Sequence, residues 1–136
     1  MNQKHVPSLE HCQEFNTLCK EKGITIPETE FYWDAVAGGS IEIVKAPSAS
    51  SNITNKERCH DELSNISIPA PLVSELGEWL PWIIDTGCVN FDNCPSWHRV
   101  TYYLGEHYLE QTASTEANAR QKMLNYLIVE RIITTL

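Results

Sequence analysis

The sequence predicts an α+β fold. Three segments with apolar residues at helical spacing, two pairs of strand-like runs around turn residues, and no alternation of single strands with helices point to it. The expected order is α-β-β-α-β-β-α, with a mostly antiparallel sheet of about four strands and helices packed on one face. At 136 residues the chain is expected to form one domain, residues 1–136, able to bury a core without staples.

The first helix is bounded by Ser8, an N-cap residue type, and by Gly23, where a C′ glycine ends a helix. Between them Cys12, Phe15, Leu18 and Cys19 share a face, and the two cysteines read as small core residues. Pro27 opens an extended segment, and Glu30-Phe31-Tyr32-Trp33 has strand composition. Asp34–Ser40, with Gly38-Gly39, reads as the turn before a returning strand, Ile41-Glu42-Ile43-Val44. Residues 46–65 shift to a loop-like composition and are expected to be mobile, with two helical turns available over Lys56–Leu63.

Pro71 suits the first position of a second helix, along which Leu72, Val73, Leu76, Trp79 and Leu80 repeat at three and four. Gly77 inside it costs about 1 kcal/mol relative to Ala, which predicts close approach by a neighbouring backbone. Pro81 stops the helix. Ile83 to Pro95 carries the breakers Gly87 and Asn93-Cys94-Pro95 and has no dominant period. Val100–Leu104 and His107–Glu110 flank Gly105-Glu106, a two-residue loop that suits a type II′ hairpin.

Thr115 caps the last helix, which runs from Glu116 to Ile128. Plotted at 100° per residue, Ala117, Leu124, Leu127, Ile128 and Ile132 fall together, and Met123 and Ala119 widen the arc. Such a stripe is wider than one surface needs, so the helix should pack on the sheet and also on another helix or a second subunit. Arg120 falls inside the arc near the positive end of the helix dipole. Its stem can cover apolar surface while its head reaches water, or the guanidinium can pair with a carboxylate of the fold or of a ligand.

Apolar residues make up 42% of the chain and four tryptophans are among its aromatics, which argues against wholesale disorder. The formal charge of −8 argues against direct, non-specific nucleic-acid binding through a basic surface. The acidic excess is dispersed and reads as a solubility feature. Its sharper alternative is an acidic regulator or mimic acting on a DNA-processing protein. Five cysteines without repeating spacing, no secretory signal and no apolar run of membrane length lead to a cytoplasmic expectation with reduced thiols.

No constellation for catalysis stands out. Cys88, Cys94 and His98, with Cys59-His60, are the candidate metal ligands, but the tight knuckle that zinc favours is missing. A cysteine beside His98 or His107 lacks an orienting partner or a local signature. Glu75 and Glu78 sit three apart on a helix, ordinarily a solvated face, and Gly38-Gly39 has no phosphate-loop context. Trp33, Trp79, Trp82 and Trp97, with Tyr102 and Tyr103, line a peptide groove, stack on bases or form the core, and the basic surface that bases would need is lacking. No metal, cofactor or catalytic residue is assigned.

Three segments in consistent order, about half the chain, resemble a family of small uncharacterised proteins of phages, prophages and related bacterial mobile elements. They are Ser8–Gly23 with Glu30-Phe31-Tyr32-Trp33, then Ala70-Pro71-Leu72-Val73-Ser74-Glu75-Leu76-Gly77-Glu78-Trp79-Leu80-Pro81, then Thr115–Ile128. Residues 46–65 and 88–97 depart from that pattern. The resemblance implies a prokaryotic cytoplasmic setting and an accessory role, and carries over no activity. The leading expectation is a non-enzymatic interaction module for a protein partner or a second copy. Trp79, Trp82, Ala117, Arg120, Leu124, Leu127 and Ile128 are its expected contacts. The competing expectation is a small metal- or cysteine-dependent enzyme using the Cys/His residues of 88–98.

Overall fold

The computed structural model describes residues 5–35, 41–45, 67–84 and 87–136. Ser8 accepts a hydrogen bond from the His11 amide at 3.4 Å, and Gly23 adopts φ 68°, so α1 (Leu9–Lys22) begins and ends where its capping residues predict. β1 (Phe31–Ala35) pairs antiparallel with β2 (Ile41–Lys45) on one side and β3 (Ser67–Pro69) on the other. Trp33 seats this small sheet on the N-terminal half of α1. Its ring is buried with Val6, Cys12, Ile68 and Ala70, and its indole N–H donates to the Pro7 carbonyl at 3.1 Å.

The second helix, α2 (Val73–Trp79), begins later than Pro71 suggests. The Ala70 amide still bonds to the Phe31 carbonyl at 2.9 Å, which keeps the chain extended through the proline. Gly77 does meet a close neighbour, but it is the guanidinium of Arg120 rather than a backbone.

A four-stranded antiparallel sheet follows, in the order β4 (Ile83–Ile84), β5 (Gly87–Cys94), β6 (Trp97–Leu104), β7 (His107–Ala113). The breakers around residue 95 mark a turn: Cys94 pairs with Trp97 across Pro95-Ser96. Leu104 pairs with His107 across Gly105-Glu106, and φ is positive at Gly105 (68°) but not at Glu106, as a type II′ turn requires. The fold class is the expected one, but the strands divide into sheets of three and four. Each predicted hairpin recruits its own neighbours, β3 beside β1 and β5 with β4 beside β6, so the two hairpins never join.

Thr115 accepts from the Asn118 amide at 3.2 Å and starts α3 (Glu116–Val129). Its Met123, Leu124, Leu127 and Ile128 are buried against Val100 and Tyr102 of β6, Leu76 of α2 and Phe15 of α1. Within α3 the wide stripe is therefore used up inside the chain, by one sheet and two helices. Polar residues fix how α3 meets α1. Asn118 accepts from the Ser8 amide at 2.7 Å, Gln121 donates to Asn125 at 2.8 Å, and Asn125 donates to the His11 carbonyl at 3.3 Å. The loop expected over 46–65, its helical turns at Lys56–Leu63 and the Gly38-Gly39 turn lie outside the described residues.

Candidate functional site

Arg120 works inside the fold. Its side chain is 14% exposed, and its guanidinium lies over the Phe91 ring at 4.1 Å. One Nη donates to the Val73 carbonyl at 3.0 Å and the other to Glu116 at 2.6 Å. The fork thus ties α2 to α3 above β5, and the carboxylate it pairs with belongs to the chain itself. Glu116 also accepts from Asn93 at 3.4 Å, and Asn93 meets His98 Nδ1 at 2.7 Å. A groove of about 460 Å³ opens beside Arg120 near His5 and Leu72, but the cation there is already neutralised.

Ala117, Leu124, Leu127 and Ile128 correct the sequence expectation, because each is 0% exposed and none presents a surface to a partner. Once the sheet, α1 and α2 have covered the stripe, Ile132, beyond the end of α3, is the member left outside, at 40% exposed. The two tryptophans of the Trp79/Trp82 pair separate as well. Trp79 stacks on Phe15 with ring centroids 6.0 Å apart and packs against the core, whereas Trp82 is 71% exposed.

The surface that remains is the outer face of the four-stranded sheet, turned away from α3. Side chains alternate between faces along a strand, so Val100 and Tyr102 point to the helices while Trp97, Arg99 and Tyr103 point outward. The register builds one apolar row across all four strands. Ile83 is opposite Cys88, Tyr103 is opposite Tyr108, and Cys88 reaches Tyr103 one step on from the Val89–Tyr102 pair. At a strand spacing of about 4.8 Å this row is about 14 Å long. Its three large members are more than half exposed, and the two tyrosine rings lie 6.3 Å apart. Further along the face, Arg99 donates twice to Asp92, at 3.0 and 3.1 Å, and lies 5.2 Å from the Trp97 ring. Arg99 also feels the Glu110 carboxylate on the next strand, so Asp92, Arg99 and Glu110 together carry one net negative charge on the face.

The Cys/His candidates do not converge. Cys88 and Cys94 are six residues apart on β5, about 20 Å along the strand. His98 is opposite Asn93, on the other face of the sheet from Cys94. Among the described residues no three His, Cys, Asp or Glu side chains cluster, and Cys59 and His60 lie outside those residues. Burial pushes the Cys12 thiol far above the ordinary cysteine range, which makes it inert as a nucleophile. Glu75 caps the start of α2. It accepts from the Leu72 amide at 2.8 Å, and burial raises its pKa above the usual carboxylate value, opposed by hydrogen bonds from the Leu72 and Glu30 backbone and assisted by the charges of Glu30 and Glu78.

Sequence reasoning placed Tyr103 among the aromatic candidates but missed Ile83, Cys88 and Tyr108 as its row. One signal was available: Tyr103 and Tyr108 are symmetric about Gly105-Glu106, so the predicted hairpin already made them cross-strand partners. No family model matches this chain, and neither a curated protein nor a solved structure matches it.

Proposed function

We propose that this protein is a non-enzymatic interaction module that binds a protein partner through the outer face of its four-stranded sheet. The observation that carries this reading is the continuous row Ile83, Cys88, Tyr103, Tyr108, which no described element covers. Exposed aromatic side chains on a rigid sheet resemble the anchors that supply most of the energy in protein interfaces. The flanking charge favours a protein over nucleic acid, because Arg99 is already paired with Asp92 and Glu110 would repel phosphate. The bacterial or phage accessory setting, in a cytoplasm, belongs to the same reading and rests on the resemblance of the α1, α2 and α3 segments.

The double variant Tyr103→Ala/Tyr108→Ala tests it. Wild-type protein immobilised on beads should retain a partner from bacterial lysate that the variant does not, while both melt at the same temperature. Identical recoveries from the two proteins, with both folded, would sink the proposal.

A further inference from the structure

The hydrogen-bond phase of β7 follows from three independent observations. Both hairpin loops of this sheet have two residues, which makes Cys94–Trp97 and Leu104–His107 hydrogen-bonded closing pairs. Bonding alternates along an antiparallel ladder, so Tyr102–Leu109 and Val100–Gln111 are bonded, whereas Tyr103–Tyr108 and its neighbours Thr101–Glu110 and Arg99–Thr112 are not. The Tyr103 carbonyl indeed points at Gly87 on β5, away from β7, and leaves no room there for a Cβ. The Thr112 carbonyl in turn accepts from the Lys122 ammonium at 2.7 Å. The amides and carbonyls of Tyr108 and Glu110 therefore face outward from the last strand of the sheet. Among the described residues no other backbone bonds to them.

Lys122 closes the far end of this edge, at Thr112, and the end nearer the hairpin is left open. A groove of about 240 Å³ runs beside that strand, with Gln111, Tyr126, Val129 and Glu14 on its walls. It gives an incoming strand a place for its inward side chains. Outward side chains would land beside Tyr108 and Glu110.

We infer that β7 is an acceptor edge, on which an extended polypeptide segment with alternating basic and apolar residues adds as a further strand. This rests on the interaction-module reading and specifies the kind of segment bound. Main-chain bonds to Tyr108 and Glu110 supply the docking, as in strand addition generally. Charge selects the segment: Glu110 on the outer face favours Lys or Arg at alternate positions, whose side chains share that face, while the groove, where Lys122 offsets Glu14, takes the apolar side chains between them. A second copy of this chain fits less well, since two-fold pairing centred on Glu110 would set that carboxylate against itself, between chains of net charge −8.

Two measurements test it. In the free protein, amide hydrogen exchange should be fast at Tyr108 and Glu110 and slow at Leu109 and Gln111. Protection at Tyr108 and Glu110 would show the edge already paired and overturn the inference. The second measurement titrates labelled nine-residue peptides, one alternating valine with lysine and one alternating valine with glutamate. The lysine peptide should bind about tenfold or more tightly than the glutamate peptide and slow exchange at Tyr108 and Glu110. Glu110→Gln should weaken it several-fold. Glu110→Pro, which removes an outward N–H and no ladder bond, should abolish it with the circular dichroism unchanged. Equal binding of both peptides, or full binding to folded Glu110→Pro, would overturn the inference. So would a dimer in sedimentation that Glu110→Pro dissolves. A lysate partner lost with Tyr103→Ala but retained by Glu110→Pro removes the edge and leaves the face reading standing.

Discussion

Tyr102 and Tyr103 are adjacent on β6, yet one is 0% exposed and the other 52%. Tyr102 lies in the core under α3, and its hydroxyl donates to the Pro81 carbonyl at 2.6 Å. Burial without a charge partner pushes that hydroxyl well above the usual tyrosine range, so it stays a donor at any ordinary pH. Tyr103 meets Tyr108 and solvent. The same residue type thus supports the fold on one face and is available for binding on the other. What separates the two is the pleat of the strand, not their chemistry. Stability and recognition can then vary independently in this sheet, because a change on one face leaves the other in place.

Tyr102→Ala presses hardest on that separation. It should cost about 3–5 kcal/mol in denaturant unfolding, through the lost ring and the stranded Pro81 carbonyl. A loss below about 1 kcal/mol would mean that the inner face is not the core. Arg120→Ala comes next, at about 2–3 kcal/mol, since it unties α2 from α3 and leaves Glu116 and the Val73 carbonyl without their donor. Partner binding on the outer face should survive it wherever the variant stays folded, which separates a clasp from a contact.

A smaller effect should appear with pH. Glu75 is harder to ionise in the fold than in the unfolded chain, so the native state binds its proton more tightly. Stability from this group is fully present below its unfolded value, near 4.5, and declines as pH rises through the raised folded value. Melting temperatures of wild type and Glu75→Gln, compared from pH 4 upward, should diverge in that window, with the wild type falling relative to the variant. Parallel curves would contradict the assignment. Smallest of all, Tyr103→Ala should change unfolding free energy by no more than about 0.5 kcal/mol while removing the bound partner.

Much of the fold was legible where local rules and tertiary packing agree. Ser8, Gly23, Thr115 and Gly105 each impose one conformation, and the elements they bound lie where they predict. β5 was hidden because its breakers have a topological meaning. Gly87 admits a neighbouring carbonyl and Pro95 sits in a two-residue turn, yet the alternation of Val89 and Phe91 with Asn90 and Asp92 runs between them. The contact surface was misplaced for a different reason. A helical plot shows that Leu124, Leu127 and Ile128 need cover, but it cannot say whether α1, α2 or another molecule provides it. Exposure at Tyr103 and Tyr108 was equally out of reach, since tyrosine is common in cores and on surfaces alike.

The dependence of the core on α3 has a consequence for where the chain can be cut. Every strand of the four-stranded sheet precedes Leu124, Leu127 and Ile128 in the sequence. A chain ending after β7 would hold all four strands but leave Val100 and Tyr102 without the helix that buries them. It would present two apolar faces and an unpaired edge, the combination that favours aggregation.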